Sequence, residues 1–430
     1  MLLEFSVGNY LSFREDATLS LVATRLKARD QRLNEGSQTD VGGVSALHGA
    51  VLYGANASGK SNLLQAMTFF FRFVRDSARE GQSVDEIPVQ PFAFHEDSVE
   101  EPSYFEVVFV LEGVRYRYGA ELDRTRVCRE WLYRRKAREV LLFSRDEHEL
   151  VVKPSFSRSA LAKEPPRDNA LYLSVAAQRN LPEATALMTW FNRAGFISGI
   201  GRIGHGYAYT AHQLVSERFG SALLDFVLAM DLGIRDIQVE ERSLRRDDLP
   251  KDLPDEIIEE LVGTKGLRVT SVHPIYDDDG TEVGVRRMDF QSESEGTRKL
   301  FALAGLLFDT LHEGGLIVID EFDARLHPMI ACEVVRLFQR RETNPKGAQL
   351  IIATHDTNLL KRELFRRDQV WFLEKRRRGS SDLYPLASFK VRNDASFEAD
   401  YIAGRYGAIP FLGGLEGIVR LAADEHGEAP

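Results

Sequence analysis

Only two cysteines occur, Cys128 and Cys332, far apart in the chain. Two isolated thiols cannot form a disulfide framework or a cysteine-rich zinc site, and such usage fits a reducing compartment. Long apolar runs are also missing: none reaches the roughly 20 residues that a bilayer span needs. The opening, Met1-Leu2-Leu3-Glu4-Phe5, carries no basic stretch of the kind that begins a secretion signal. The expectation is a cytoplasmic protein with no membrane partner. Glycine (33) and proline (15) are not enriched in 430 residues, which excludes fibrous and disordered classes. Positive charge is not in excess: 65 acids against 55 bases give a net −10. A general nucleic-acid binder is therefore excluded, although a local basic patch can still touch DNA or RNA. No internal repeat or low-complexity tract is present. What is there is a globular chain, 43% hydrophobic, long enough for about two to three domains.

Apolar alternation at Leu3, Phe5 and Val7, then at Leu11, Phe13, Leu19 and Leu21, reads as two strands about a turn at Gly8-Asn9. A polar stretch follows over 27–40. Val44 to Tyr53 reads as one apolar strand, and Ser61 to Arg79 as a helix with Leu63, Leu64, Met67, Phe70, Phe71 and Val74 at helical spacing. Several β-like runs between 102 and 152 form an antiparallel meander. The pattern over 165–260 is largely helical, with 247–260 as exposed, charged surface. Another β segment spans 267–290, turning at Asp277–Gly280. Gly296–Leu311 and Met329–Arg340 read as helices. Gly315–Asp320 and Gln349–Thr354 are uninterrupted apolar strands, the mark of a parallel sheet covered on both faces.

Gly54-Ala55-Asn56-Ala57-Ser58-Gly59-Lys60-Ser61, followed by Asn62, matches the phosphate-loop pattern G-x-x-x-x-G-K-[ST] between a strand and a helix. The glycines let successive backbone N–H groups face phosphates, and the helix start adds its positive dipole end. Lys60 supplies a cation for the β- and γ-phosphates of ATP, and the Ser61 hydroxyl a ligand for Mg2+. Leu316-Ile-Val-Ile-Asp320-Glu321 is an apolar strand ending in two carboxylates, where strand ends line a ligand crevice. Asp320 is the second magnesium ligand. Glu321 is the candidate general base for the attacking water.

From here the motifs resemble those of ABC-type ATPases, in the order that superfamily uses. Gln90, in Val89-Gln-Pro-Phe92, falls where a Q-loop glutamine would reach the metal. Ser294-Glu-Gly296 opens a helix as the ABC signature does, Asp323-Ala-Arg-Leu-His-Pro328 resembles the D-loop, and His355 resembles the switch histidine at the γ-phosphate. The resemblance implies an α/β, ABC-type P-loop NTPase fold with an N-terminal antiparallel β part and an inserted, mostly helical lobe. Its expected organisation is 1–95 and 266–430 as two halves of the ATPase domain, 96–160 as a β-rich segment, and 161–265 as the inserted lobe. It further implies a homodimer or higher homo-oligomer in which Ser294 and Gly296 close over nucleotide held by the partner and Asp323 carries a signal across.

Phe5–Phe13, Glu293–Arg298, Asp320–Pro328 and Tyr401–Pro410 sharpen the likeness to stand-alone ATPases related to the OLD family, including RloA-like and abortive-infection ATPases of bacterial anti-phage systems. Glu295 in place of the signature's glycine turns the comparison away from transporters and toward the SMC/RecF/OLD branch. The chain after His355 is too short for the Toprim nuclease domain of OLD proteins, and Asp394 with Glu398-Ala-Asp400 reads as a turn and helix start. A nuclease or toxin effector is thus expected on a separate chain. The alternative is a RecF-like DNA-repair or DNA-end-sensing ATPase. Lys375-Arg-Arg-Arg378 and Arg134-Arg-Lys136 with Arg138 are the candidate contacts for nucleic acid or an acidic partner, against a plain solvated hairpin.

Overall fold

The computed structural model describes residues 1–410 except 80–81, 83–84, 147–148, 199–203, 217, 220, 231–232, 244, 247–254, 256–261, 264 and 393–394. β1 (Leu2–Gly8) and β2 (Ala17–Ser20) pair antiparallel. The second strand is shorter than the alternation over 11–21 predicts. Asn9 and Leu11 adopt φ of 44° and 49°, and the chain loops through a Tyr10–Phe13 bridge before β2 begins. The polar stretch holds α1 (Gln31–Gly36), capped by Asp30, and β3 (Gln38–Val41). The apolar run 44–53 divides into β4 (Val44–Leu47), hairpinned to β3, and β5 (Gly49–Tyr53), which enters a different sheet. The break is at buried His48, whose Nδ1 lies 3.1 Å from the Phe338 carbonyl. α2 (Lys60–Asp76) follows the phosphate loop.

β6 (Ser103–Leu111), β7 (Val114–Leu122), β8 (Val127–Arg135), β9 (Glu139–Asp146) and β10 (Glu149–Val152) are the predicted meander. With β1 and β2 they form a seven-stranded antiparallel sheet, order β10-β9-β8-β7-β6-β1-β2. Its inner face, Phe5, Phe105, Phe109 and Tyr118, packs on Met67, Phe70 and Phe71 of α2. The rings of Phe70 and Phe105 stack at 5.4 Å.

The region 165–260 holds α3 (Tyr172–Gln178), α4 (Pro182–Asn192), α5 (Gly204–Val215) and α6 (Ala222–Leu228), but two strands as well: β11 (Ala194–Ser198) and β12 (Asp236–Ser243). Neither follows from the helical pattern. β11 is five residues long and includes a glycine; it is a strand because a distant strand pairs with it. Of 247–260, only Asp255 is among the described residues. β12 joins β13 (Lys265–Tyr276) and β14 (Glu282–Asp289) in a small antiparallel sheet.

The last part runs α7 (Glu295–Glu313), β15 (Leu316–Asp320), α8 (Pro328–Gln339), β16 (Gln349–Ala353), β17 (Val370–Lys375), β18 (Ser381–Pro385) and α9 (Phe397–Ile402). The central sheet has the order β11-β15-β16-β5-β17-β18, parallel except between β17 and β18. Ile317, Ile319, Leu350, Ile352 and Val51 face a cluster with Val335 of α8 and Leu303 of α7; Val318, Ile351 and Leu52 face α2. Burial on both faces explains why these strands read as unbroken apolar runs. The parallel direction brings the C-terminal ends of β5, β15 and β16 to one edge.

The Tyr401–Pro410 stretch has a packing role. Tyr401 sits 5.4 Å from the Phe372 ring and 5.6 Å from Tyr53, and its hydroxyl donates to the Ala408 carbonyl at 3.1 Å. Tyr53 immediately precedes the phosphate loop. Tyr401→Ala is expected to cost about 3–5 kcal/mol, as for other large aromatic truncations. Tyr401→Phe, which loses only the hydrogen bond, should cost about 1 kcal/mol. Thermal denaturation of the two variants checks the contrast. Glu398 and Asp400 are engaged locally, accepting from Thr357 and from Arg405 and Tyr406. Asp394 lies outside the described residues.

Candidate nucleotide site

The loop after β5 turns back on itself through Ala57 at φ +60° and Gly59 at φ +110°. A Cβ on Gly59 would meet the Ser381 hydroxyl at 2.2 Å and the Ser12 hydroxyl at 2.8 Å, so a side chain is excluded twice, by conformation and by space. Ser381 braces the loop: its hydroxyl donates to the Ser58 carbonyl at 2.7 Å and lies 2.7 Å from Ser12 Oγ. A turn near the start of the chain and a strand near its end thereby shape the loop. Lys60 is 7% exposed and its Nζ donates to the Gly54 and Ala55 carbonyls at 2.8 and 3.2 Å. Burial pushes its pKa down to about 8, opposed by the carboxylates of Asp320, Asp323 and Glu321.

A cleft of about 620 Å³ opens above the loop. Asn56 through Asn62, Gln90, Asp320, Glu321 and His355 line it, which brings together the loop, the acidic pair, the glutamine and the histidine. Asp320 ends β15, with Oδ1 accepting from the Glu321 N–H at 3.0 Å. Glu321 takes φ +47°, and its Oε2 is buried with no hydrogen-bond partner among the described residues. Asp323 is turned to the neighbouring strand end: its Oδ1 accepts from Thr354 Oγ1 at 2.6 Å and from the His355 N–H at 3.2 Å. That pair of bonds fixes the backbone from which His355 projects. Burial lowers the pKa of His355, with Lys60 adding to the effect and Asp323 and Asp320 opposing it.

Ser294 and Gly296 do not line this cleft. They sit at the exposed start of α7, where Ser294 Oγ accepts from the Thr297 N–H at 3.1 Å as the helix cap. Gly296 faces the turn after β15; a Cβ there would lie 2.9 Å from the Arg325 carbonyl.

One cleft residue escapes sequence reasoning. Phe94 is 70% exposed, held edge-on by Phe92 at 5.7 Å, with Lys375 Nζ 5.9 Å from its ring centre. Both line the cleft; Lys375 opens the basic run 375–378 that the sequence marks as a candidate contact, whereas Phe94 falls outside every motif. An exposed phenylalanine in 92–94 carries no sequence signal, because only the fold brings the β17–β18 turn alongside it.

A triphosphate with a divalent cation fits these groups. Lys60 and the α2 N-terminus supply positive charge, and the orphaned Glu321 oxygen needs a polar partner. No cluster of three or more His, Cys, Asp or Glu able to hold a metal alone occurs among the described residues. A cation here would share Ser61 and Asp320 with phosphate oxygens and water, the habit of magnesium.

The phosphate loop, the acid-ended strand two places away in a parallel sheet, and the flanking antiparallel sheet define an ABC-type P-loop NTPase fold, the α/β class predicted from the motifs. Residues 50–361 match the family described as "AAA domain, putative AbiEii toxin, Type IV TA system". The chain belongs to that family. Among solved structures it is similar to an SMC head bound to the C-terminal winged-helix domain of ScpA, at 13% identity, covering 89% of this chain and 97% of that one, TM-score 0.38. RecF from the RecFOR pathway is similar at 13% identity, with 89% and 98% coverage and TM-score 0.35. A Clostridium perfringens protein of the ABC transporter complex CbiONQ is similar at 11% identity, with 89% coverage of each chain and TM-score 0.31. No curated protein matches the sequence. No helix among the described residues is long and apolar enough to cross a membrane.

Proposed function

We propose that the protein is a magnesium-dependent ATPase that works as a nucleotide-sandwich dimer and switches with ATP. The observation carrying this is the single cleft in which loop, acid pair and histidine meet while Ser294 and Gly296 stand outside it on an exposed helix start. Lys60 and the loop N–H groups bind phosphates. Ser61 and Asp320, with Gln90 at the rim, would hold magnesium, which neutralises phosphate charge when bound. Glu321 takes a proton from the attacking water, and His355, backed by Asp323, contacts the γ-phosphate end. Ser294 and Gly296 of a second copy complete the site from above, so the lone chain is an incomplete catalyst. Light scattering with and without ATP tests this: dimer formation that ignores nucleotide counts against the sandwich.

Phe94 forms the base end of the cleft. Stacking is worth about 1–3 kcal/mol per base, so Phe94→Ala should weaken ATP binding roughly 5- to 150-fold. Affinity for inorganic tripolyphosphate should not change. Equal losses for both ligands would remove Phe94 from base recognition.

The family description links relatives to a toxin of a type IV toxin–antitoxin system, which supports a defence role of the abortive-infection kind. In that role ATP-driven closure governs a separate nuclease or toxin chain, in the manner of OLD-related ATPases. Stable co-purification with the product of an adjacent gene tests it. A DNA-sensing reading draws on one observation: Arg14, Arg377 and Arg378 line a small cleft with Phe92, Phe94 and His95. It predicts ATP hydrolysis stimulated by DNA and a steep loss of that stimulation with salt. The 134–138 run offers less, since Arg134 is held by both oxygens of Glu183 at 2.8 Å.

A further inference from the structure

Lys299 lies just beyond Ser294 and Gly296 on α7 and is 3% exposed. Its Nζ donates to three backbone carbonyls of the turn that follows β15: Glu321 at 3.2 Å, Phe322 at 3.2 Å and Ala324 at 2.6 Å. An ammonium has three N–H donors and no acceptor, so its whole bonding capacity goes to one turn. That turn is strained. Glu321 and Arg325 take φ of +47° and +65°, a region that non-glycine residues hold only where the surroundings force it.

Glu321 Oε2 is buried and no hydrogen bond from a described residue holds it, so the backbone beneath it has the main part in directing the carboxylate. The same contacts bind the turn to α7. Besides Lys299, Glu295 pairs with Arg325 at 3.2 Å, and Gly296 lets the Arg325 carbonyl come close. The helix start that would face a partner's nucleotide and the turn that carries the base for the chain's own nucleotide are clamped by one buried cation.

We infer that Lys299 is a positioning residue for ATP hydrolysis, holding the Glu321 turn in its left-handed conformation and tying it to the start of α7. The inference rests on Glu321 acting as the base. Methionine keeps most of the apolar stem and removes all three donors. Lys299→Met in the full chain should lower kcat about 10- to 100-fold, the scale of a misplaced catalytic group, with ATP affinity unchanged. In a Glu321→Gln background the same substitution should add no further loss, because both changes strike one step. A merely structural lysine would instead lower the melting temperature and multiply its effect onto Glu321→Gln.

Wild-type kcat in folded Lys299→Met, or losses that multiply in the double variant, overturns the proposal. If Lys299→Met does not fold, Lys299→Gln, which keeps an amide donor, replaces it in the same comparison. A dead Glu321→Gln with an unimpaired Lys299 variant sinks the positioning role alone. A fully active Glu321→Gln sinks the base assignment and the positioning role with it.

Discussion

Lys60→Ala will leave a protein that folds but does not hold ATP at physiological concentrations. The lysine stands between three carboxylates and the loop carbonyls, in a place where burial already depresses its pKa to about 8. An ammonium held there by two neutral carbonyls can exchange them for phosphate oxygens, which carry full negative charge. Truncating one partner of a desolvated charge pair costs about 2–5 kcal/mol, which is roughly 30- to 4000-fold in Kd. The substitution removes the main counter-charge to the phosphates and leaves Asp320 and Glu321 facing them, with the charge of Asp323 close behind. Calorimetric titration measures the loss directly, and the ATP-dependent rise in melting temperature should vanish with it. A Kd within about twofold of wild type would show that the phosphates sit elsewhere.

Glu321→Gln should separate binding from turnover. The amide keeps the size of the side chain and its place on the turn but cannot accept a proton. General-base contributions run to about 10²–10⁴-fold, so kcat should fall by that order while ATP affinity holds or improves. With hydrolysis blocked, the closed form should accumulate. Gel filtration with ATP and magnesium should then show a persistent dimer where the wild type returns to its nucleotide-free state. Turnover at the wild-type rate would exclude Glu321 as the base.

The parts of the site that were legible in the sequence are those whose chemistry is local. Gly54 to Ser61 is a strand–loop–helix unit complete in itself, and Asp320-Glu321 ends a strand too apolar to mistake. Gln90 and His355 needed the order of motifs, and the fold brings both to the cleft. Lys299 was not legible, because its partners are backbone carbonyls beyond α7, and carbonyls leave no mark on a sequence. Phe94 was hidden for a similar reason: its neighbour Lys375 arrives from the far end of the chain. In the fold, the long meander showed itself through alternation, whereas β11 did not. Five residues between helices acquire strand geometry only from the hydrogen bonds of β15. The late tyrosines were visible as a motif, and the structure gives them a mechanical task beneath the phosphate loop.

β11 has a consequence for how force would travel. The acid-bearing strand would otherwise be the rim of the central sheet. Instead it is laced residue by residue to a strand from the middle of the chain, Ser198 lying opposite Asp320 at the very end of the ladder. The next helix, α5, packs along α7, where the Thr210 hydroxyl accepts from the Gly305 N–H at 3.1 Å. The middle region therefore grips the machinery in two places, one beside the acid pair and one along the helix that starts at Ser294. A pull directed along β11 would load that ladder in shear, so that many bonds must break together, rather than peel it from a free edge. A partner that docks on the middle region would have a stiff handle on the chemistry.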